Sequence, residues 1–114
     1  MVKELFKSVD NKDISKFLSF CTEDVSFVFG NADPSVGKES VKVLLDGFFN
    51  SIHSISHEIV ETWEPEEDII VQGNVKYTRL DKTILIVPFC NIFKMKNNLI
   101  KDYLIYVDTS LLYS

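Results

Sequence analysis

Few residues of this chain could do acid/base chemistry, and His57 is the first of them. The sequence holds two histidines, and histidine is the side chain that most readily exchanges protons near neutral pH. His57 shares one side of a predicted strand, residues 53–63, with Ile55 and Ile59. His57 is therefore a candidate general base or acid. The alternative is a partly buried strand histidine that bonds to a neighbouring polar group.

Two tyrosines and an arginine stand in the apolar runs that follow. A phenol can donate a hydrogen bond to an oxygen that becomes negative during a reaction, so Tyr77 and Tyr103 are candidates for steering an oxyanion. Both could equally be core or interface aromatics, whose hydroxyls need only a partner. Arg79 is a candidate ligand contact, with a rim position or an ion pair as the alternative.

Composition disfavours metal and nucleic-acid sites. Two histidines and two cysteines occur without the close spacing of metal ligands, so we expect no metal and no cofactor. The net charge is −5 and no cluster of Lys or Arg is present. Because phosphate binding needs a basic surface, nucleic acid is excluded as the expected partner. The acidic run 64–68 is interpreted as a solvated turn rather than a cation site, since Pro65 breaks the strand there.

The length of 114 residues predicts a single domain, residues 1–114. No apolar run is long enough for a membrane span, and the first residues lack the pattern of a secretory signal. Cys21 and Cys90 are interpreted as small buried hydrophobes in a reducing compartment. We therefore expect a cytoplasmic protein with no membrane partner.

The elements that must position these residues are dominated by a three-strand meander. The runs Ile69–Leu80, Ile84–Lys96 and Leu99–Asp108 are joined by tight turns, which require antiparallel neighbours. Both faces of these strands are apolar, so each face must be covered. A flat run of about 12 residues would extend roughly 40 Å, so the sheet should curl, with bends expected at Gly73 and Pro88.

The first half of the chain supplies the helices. Apolar spacing predicts two short helices before residue 22, a strand at Val25–Phe29, and a wider helix from Lys38 to about Ile52. The fold class is therefore α+β, with helices on one face of an antiparallel sheet. A second copy is the simplest cover for the other face, so we expect a homodimer through the sheet. An apolar tail at 111–113 is either docked or poorly ordered.

Several phrases of the sequence resemble those of SnoaL-like proteins, of the ketosteroid isomerase and nuclear transport factor superfamily, also called cystatin-like. They are Asp24-Val-Ser-Phe, Pro34-Ser-Val-Gly-Lys-Glu-Ser, Gly73-Asn-Val-Lys-Tyr-Thr-Arg, Val87-Pro-Phe-Cys-Asn-Ile-Phe and the stretch from Leu99 to Asp108. The resemblance implies a cone, in which a curved antiparallel sheet wraps around three N-terminal helices and leaves a pocket. It also implies dimers through the sheet, on a scaffold that serves polyketide cyclases, isomerases, dehydratases, epoxide hydrolases and plain binding modules.

The catalytic set of steroid isomerases is absent from the matching positions. The tyrosine, the base and the acid of that set fall near Leu5, Val28 and Cys90, none of which can do the same chemistry. Arg79-Leu80-Asp81 matches the Arg-x-Asp pattern of limonene epoxide hydrolases, but it abuts a turn, where Asp is common. The resemblance therefore brings no known catalytic set to this chain.

Asp108 is the remaining acid of the last strand. It could stand for the pocket acid of SnoaL-type cyclases, but strand alternation places it opposite Tyr103 and Ile105.

Two functions stay open. The first is a cofactor-independent enzyme acting on a small cyclic or polyketide-like molecule, with His57 as base or acid and Tyr77 or Tyr103 steering an oxyanion. The second is a non-catalytic dimeric module that binds a small apolar or aromatic ligand, or another protein. In both, the predicted pocket residues are Phe27, Trp63, Val75, Arg79, Cys90 and Ile105.

Overall fold

A computed structural model describes residues 1–113 of the chain. Its three helices are α1 (Val2–Asp10), α2 (Ile14–Leu18) and α3 (Lys38–Asn50). Its strands are β1 (Cys21–Phe29), β2 (Ser35–Val36), β3 (Ser54–Trp63), β4 (Ile69–Thr78), β5 (Ile84–Lys96) and β6 (Leu99–Val107). Among the described residues, no helix is long and apolar enough to cross a membrane.

The six strands form one curved, unclosed sheet in the order β2-β1-β6-β5-β4-β3. Neighbouring strands are antiparallel except β1 and β6, which run parallel. The radius of gyration is 13.5 Å. A flat strand as long as β5 would extend well beyond so compact a chain, so the strands must curve. The predicted α+β fold with a curved antiparallel sheet around N-terminal helices is confirmed, with one parallel pair added.

The three helices cover the concave face of the sheet. α1 contributes the buried side chains of Leu5 and Phe6 to the core, and α2 contributes Phe17. α3 contributes three buried side chains spaced four residues apart, Val41, Leu45 and Phe49. On β4 every second residue from Ile69 to Tyr77 is buried against them. The apolar faces of the helices and of the sheet therefore pack against each other and form one core.

The bend expected at Gly73 takes the form of a bulge in the neighbouring strand. Ile59 pairs with Gly73 and Glu61 with Gln72, so Val60 is an extra residue in β3. A Cβ atom on Gly73 would lie 2.0 Å from the carbonyl oxygen of Glu58. Glycine thus permits the close approach of the two strands that the bulge requires.

The bend expected at Pro88 is not observed. Pro88 pairs with Asn74 in an unbroken ladder between β4 and β5. Its side of β5 faces away from the helices, and the proline is exposed there.

Strand β5 presents to the helices the face opposite to the one that the sequence analysis assigned. Phe89, Asn91 and Phe93 are buried, whereas Ile84 and Ile86 are 55% and 62% exposed. The two faces of β5 are almost equally apolar, so hydrophobicity alone does not tell which one meets the helices.

The corner between α1 and α2 is fixed by Lys12. Its ammonium donates hydrogen bonds to the carbonyl oxygens of Phe49, Ile52 and His53, at 2.9, 3.1 and 3.0 Å. A cation is favourable here because the last carbonyls of a helix lack partners within the helix. The contact holds the end of α1 beside the start of β3.

The apolar tail predicted at 111–113 is docked. Leu112 is fully buried, and the Arg79 guanidinium donates to the carbonyl oxygens of Leu112 at 3.0 Å and Leu111 at 2.9 Å. The hydroxyl groups of Tyr113 and Ser51 are 2.8 Å apart. The tail therefore packs over the end of α3.

Candidate functional site

A cavity of about 590 Å³ lies between the helices and the concave face of the sheet. This is within the usual size range of small-molecule sites. Its wall is mainly aromatic and aliphatic, with a few polar groups. The side chains that matter below are Phe27, His57, Val75, Tyr77, Phe89, Asn91, Tyr103 and Ile105.

The mouth of the cavity is the part of its wall where the lining residues are exposed to solvent. Asp33 lies in the loop after β1, and Asp108 and Ser110 lie after β6. The backbone N–H of Ser110 donates to Asp108 at 2.9 Å, and bonds from Ser110 lower the pKa of that carboxyl below its usual value. The mouth therefore carries an acidic rim, in contrast to the apolar interior.

His57 reaches the cavity from β3 and is paired with Asp10, the last residue of α1. The two side chains meet at 2.6 Å between His57 Nδ1 and Asp10 Oδ1, and the backbone N–H of His57 donates to Oδ2 at 3.1 Å. A carboxylate accepts, so Nδ1 carries a proton, and in the neutral ring Nε2 then holds the free lone pair. Within residues 1–113, Nε2 has no hydrogen-bond partner.

The His57 ring is held by packing as well as by Asp10. Phe6 contacts it at 4.8 Å between ring centroids, and Phe89 meets it edge-on at 5.1 Å. The side chain of His57 is only 9% exposed. A buried ring with one oriented nitrogen and one open nitrogen is the geometry that a general base requires.

Asp10 was not among the residues that sequence analysis selected. It lies one helical turn after Phe6, so both project from the same face of α1 toward His57. The feature of the sequence that could have pointed to Asp10 is its position, one helical turn beyond the apolar stripe of α1. The run 10–13 instead suggested only a helix cap, and Asp13 does serve that role by accepting from the Lys16 backbone N–H at 3.1 Å.

Tyr103 and Asn91 form a second polar pair on the cavity wall. The Asn91 side chain lies close enough to influence the Tyr103 phenol, and both residues are 2% exposed. Burial raises the pKa of the Tyr103 phenol far above its usual value, and the bond from Asn91 opposes that shift only in part. Tyr103 is therefore a neutral hydrogen-bond donor.

Tyr77 lines the cavity from β4. It is 2% exposed, and burial raises its pKa above the usual value, with the nearby Tyr113 hydroxyl adding to the shift. Its ring meets that of Phe48 edge-on at 6.2 Å. Tyr77 is thus also a neutral phenol in an aromatic setting.

Six of the nine predicted site residues line this cavity, and three do not. Trp63 is 48% exposed at the end of β3. Arg79 is occupied with the tail and with Thr83 Oγ1 at 3.1 Å. Cys90 lies on the other sheet face, because its neighbours Phe89 and Asn91 point toward the helices.

The Arg-x-Asp pattern belongs to a turn. Asp81 accepts from the Thr83 backbone N–H at 3.0 Å and from its hydroxyl, and these bonds lower the pKa of Asp81. This carboxylate is exposed and does not line the cavity. Across residues 1–113, no group of three or more His, Cys, Asp or Glu side chains could hold a metal ion.

The fold and its cavity define the class of protein. A nuclear transport factor 2-like protein of unknown function from Burkholderia pseudomallei superposes with a TM-score of 0.89, at 17% identity, over 97% of this chain and 90% of that one. A cystatin-fold protein from Novosphingobium aromaticivorans gives a TM-score of 0.78, at 14% identity, over 91% and 92%. At these identities the likeness shows the fold alone.

The family follows from the sequence. The model of the SnoaL-like domain matches residues 2–103, so the chain belongs to the SnoaL-like family. A proposed polyketide cyclase from Xanthomonas campestris superposes with a TM-score of 0.85, at 15% identity, over 96% of this chain and 88% of that one. No curated protein matches the sequence.

Proposed function

We propose that this protein binds a small, largely apolar cyclic molecule and removes or adds a proton on it, without a cofactor. The observation that carries the proposal is the pairing of His57 with Asp10 at the wall of an apolar cavity. The partly buried Asp10 carboxylate sets the tautomer of His57 and gives this apolar cavity an oriented proton acceptor. The wall otherwise suits an aromatic or polyketide-like ligand.

In the proposed reaction, His57 Nε2 takes a proton from a carbon next to a carbonyl group. Asp10 accepts from Nδ1 throughout, so it orients the ring and stabilises the imidazolium that forms. The negative charge moves to the carbonyl oxygen, where a phenol of Tyr77 or Tyr103 can donate a hydrogen bond. Return of the proton to another carbon completes an isomerisation. In a ring closure, the carbanion carbon instead attacks a second carbonyl carbon of the same molecule, a C–C bond forms, and His57 gives the proton to the oxygen of that carbonyl.

The descriptions of several structurally similar proteins are consistent with a cyclic or polyketide-like substrate. Several similar folds are described as polyketide cyclases, including the Xanthomonas campestris protein. TerC, whose structure was obtained with polyporic acid, superposes at a TM-score of 0.86 with 18% identity, over 98% of this chain and 92% of that one. These proteins support the proposal by analogy of fold.

The test uses 5-nitrobenzisoxazole, an apolar bicyclic molecule that opens to a coloured cyanophenolate when a base removes its ring proton. The protein is expected to accelerate this reaction above the buffer rate. His57→Gln should abolish the acceleration, because glutamine has no basic nitrogen. Asp10→Asn should reduce kcat by about tenfold to a hundredfold, because the orienting carboxylate is lost.

The matched control is His53→Gln, which removes the other histidine, an exposed residue outside the cavity. It should leave the rate unchanged. Equal rates for the unmodified protein and His57→Gln would contradict the catalytic proposal.

The alternative function is a non-catalytic dimeric module that binds a small ligand or a protein. The observation in its favour is the convex face of β5 and β6, where Ile84, Ile86 and Tyr106 are each more than half exposed. An exposed apolar strip on central strands is typical of an interaction surface. We propose that a second copy of the chain covers it in either case, in the cytoplasm, where Cys21 and Cys90 remain free thiols.

A further inference from the structure

Residues 108–113 form a strap across the mouth of the cavity. The strap follows Val107, the last residue of β6, and its other end reaches the end of α3, where the hydroxyl groups of Tyr113 and Ser51 are 2.8 Å apart. It contributes part of the outer wall of the cavity, through Asp108, Thr109, Ser110, Leu112 and Tyr113. A ligand bound in the cavity would therefore lie beneath the strap.

One buried side chain and a few polar contacts hold the strap in place. Of residues 108–113, only Leu112 is buried, whereas Leu111 and Tyr113 are 59% and 66% exposed. The backbone N–H of Leu112 donates to the carbonyl oxygen of Thr109 at 2.9 Å, a bond within the strap itself. Segments with little buried apolar surface open locally at a lower free energy than the core of the same protein. The strap therefore has the properties of a segment that opens by itself.

Arg79 fastens the strap to the sheet. Its Nε donates to the carbonyl oxygen of Leu112 at 3.0 Å, and its Nη2 donates to that of Leu111 at 2.9 Å. Its Nη1 donates to Thr83 Oγ1 at 3.1 Å, so the turn between β4 and β5 orients the guanidinium. A planar guanidinium presents its donors in fixed directions, and one side chain can thus hold two successive carbonyl groups.

The inner wall of the cavity is scarcely reached by solvent. The side chain of His57 is 9% exposed and Tyr77 is 2% exposed. A cyclic molecule is wider than water, so part of the wall must move before such a molecule reaches His57. Moving the helices away from the sheet would expose core side chains such as Phe17 and Phe93. Moving the strap would expose mainly Leu112, so the strap is the part of the wall that opens at the lowest cost.

We infer that the strap opens to admit a ligand to the cavity and that Arg79 sets how often it opens. The inference rests on the proposed function, because it concerns how a ligand reaches that cavity. When closed, the strap covers the ligand and helps to keep water away from His57. Arg79 is therefore a positioning residue that acts through the strap, from a place outside the cavity.

Amide hydrogen exchange tests the opening without any ligand. The Leu112 amide should exchange at least about tenfold faster than the amide of Val71, which is fully buried in β4 and is released when the whole protein unfolds. Arg79→Gln should accelerate exchange at Leu112 by about tenfold or more, because hydrogen bonds from a charged donor are lost from the closed strap. Exchange at Leu112 no faster than at Val71 would overturn the inference, because the strap would then open only with the whole protein.

The matched control is Lys82→Gln, which removes one positive charge from the same turn. Lys82 Nζ contacts the ring of His53, at 3.2 Å from both ring nitrogens, instead of the strap. Exchange at Leu112 should be unchanged in this variant. Tyr113→Phe should accelerate it by less than Arg79→Gln does, because one neutral hydrogen bond is lost. Equal exchange at Leu112 in Arg79→Gln and Lys82→Gln would contradict the role of Arg79.

Entry is tested by stopped-flow binding of N-phenyl-1-naphthylamine, a neutral dye that fluoresces in apolar surroundings. Its association rate constant should rise in Arg79→Gln by about the same factor as the exchange rate and stay unchanged in Lys82→Gln, since a ligand enters only the open fraction of molecules. Dye that binds the unmodified protein and both variants at one rate would overturn the gate and leave the proposed function in place. Failure of the dye to bind any of them would contradict the proposed apolar pocket, and the gate with it.

Discussion

At the scale of single residues, burial of Cys21 links stability to alkaline pH. Burial raises the pKa of the Cys21 thiol from 9.0 to about 11. Between these values the unfolded chain loses the proton while the folded chain keeps it, so the folded state is progressively disfavoured as pH rises. Burial of Tyr77 and Tyr103 raises their pKa values too, which acts in the same direction at still higher pH.

We therefore expect the contribution of Cys21 to the free energy of unfolding to be constant from neutral pH to about pH 9 and to fall between pH 9 and 11. Each such group contributes a slope of at most about 1.4 kcal/mol per pH unit. Urea unfolding followed by circular dichroism at a series of pH values measures this. Cys21→Ala should lower stability at neutral pH but show a shallower fall above pH 9. A slope that is unchanged in Cys21→Ala would contradict the linkage.

The sequence identified one member of each polar pair in the cavity. His57 and Tyr103 were found because a histidine or a tyrosine in an apolar strand is conspicuous. Asp10 was missed because its partner lies 47 residues away, and a local pattern does not report such distances. Asn91 was missed because the wrong face of β5 was assigned to the cavity, although it is the single amide on an otherwise apolar face.

At the scale of elements, the bulge between β3 and β4 depends on Gly73. Gly73→Ala would place a methyl group 2.0 Å from the Glu58 carbonyl oxygen, which is backbone and must shift. We expect a loss of roughly 1 to 3 kcal/mol in the free energy of unfolding, the usual range for overpacking. Thermal and urea denaturation of the variant measure it.

Gly47→Ala is the matched control in α3. Apart from its chain neighbours and the backbone of its own helix, no atom of residues 1–113 lies within 4 Å of the position of its added Cβ. Alanine favours a helix interior over glycine by about 0.5 to 1 kcal/mol. This variant should be slightly more stable than the unmodified protein. Equal effects of the two substitutions would show that close approach at Gly73 is not what the bulge requires.

Elements with strong periodicity were predicted well, and those without it were not. The three strands of the meander and α3 show sustained apolar patterns, and the structure places them close to the expected residues. Strand β2 has two residues, too few to show any period. The start of β1 at Cys21 was missed because Thr22, Glu23 and Asp24 are polar and follow a helical stripe.

At the scale of the whole molecule, the proposed dimer places Ile86 in an interface. Ile86→Glu would put a charge into the apolar strip of β5, and desolvating that charge is costly. We expect the unmodified protein to sediment as a dimer of 13.1 kDa chains and the variant as a monomer. Sedimentation velocity at matched concentrations distinguishes them.

The control for this substitution is Val43→Glu on α3. Val43 is 65% exposed, close to the 62% of Ile86, but it lies on a helix away from the sheet. Val43→Glu should remain dimeric. A monomeric unmodified protein, or dimers of both variants, would contradict an interface on the convex face.

The parallel pairing of β1 with β6 has a consequence for how the chain reaches its native state. Phe27 lies beside Tyr103, so the two strands join regions from opposite ends of the sequence. Closing so long a loop costs chain entropy before any contact repays it. While a ribosome is still making β6, the edge of β1 that β6 will occupy is unpaired, and the first helices have an incomplete sheet to pack on. We therefore expect the cavity, whose wall includes Tyr103 of β6, to form late in folding, and a chain that stops before residue 99 to leave apolar surface exposed.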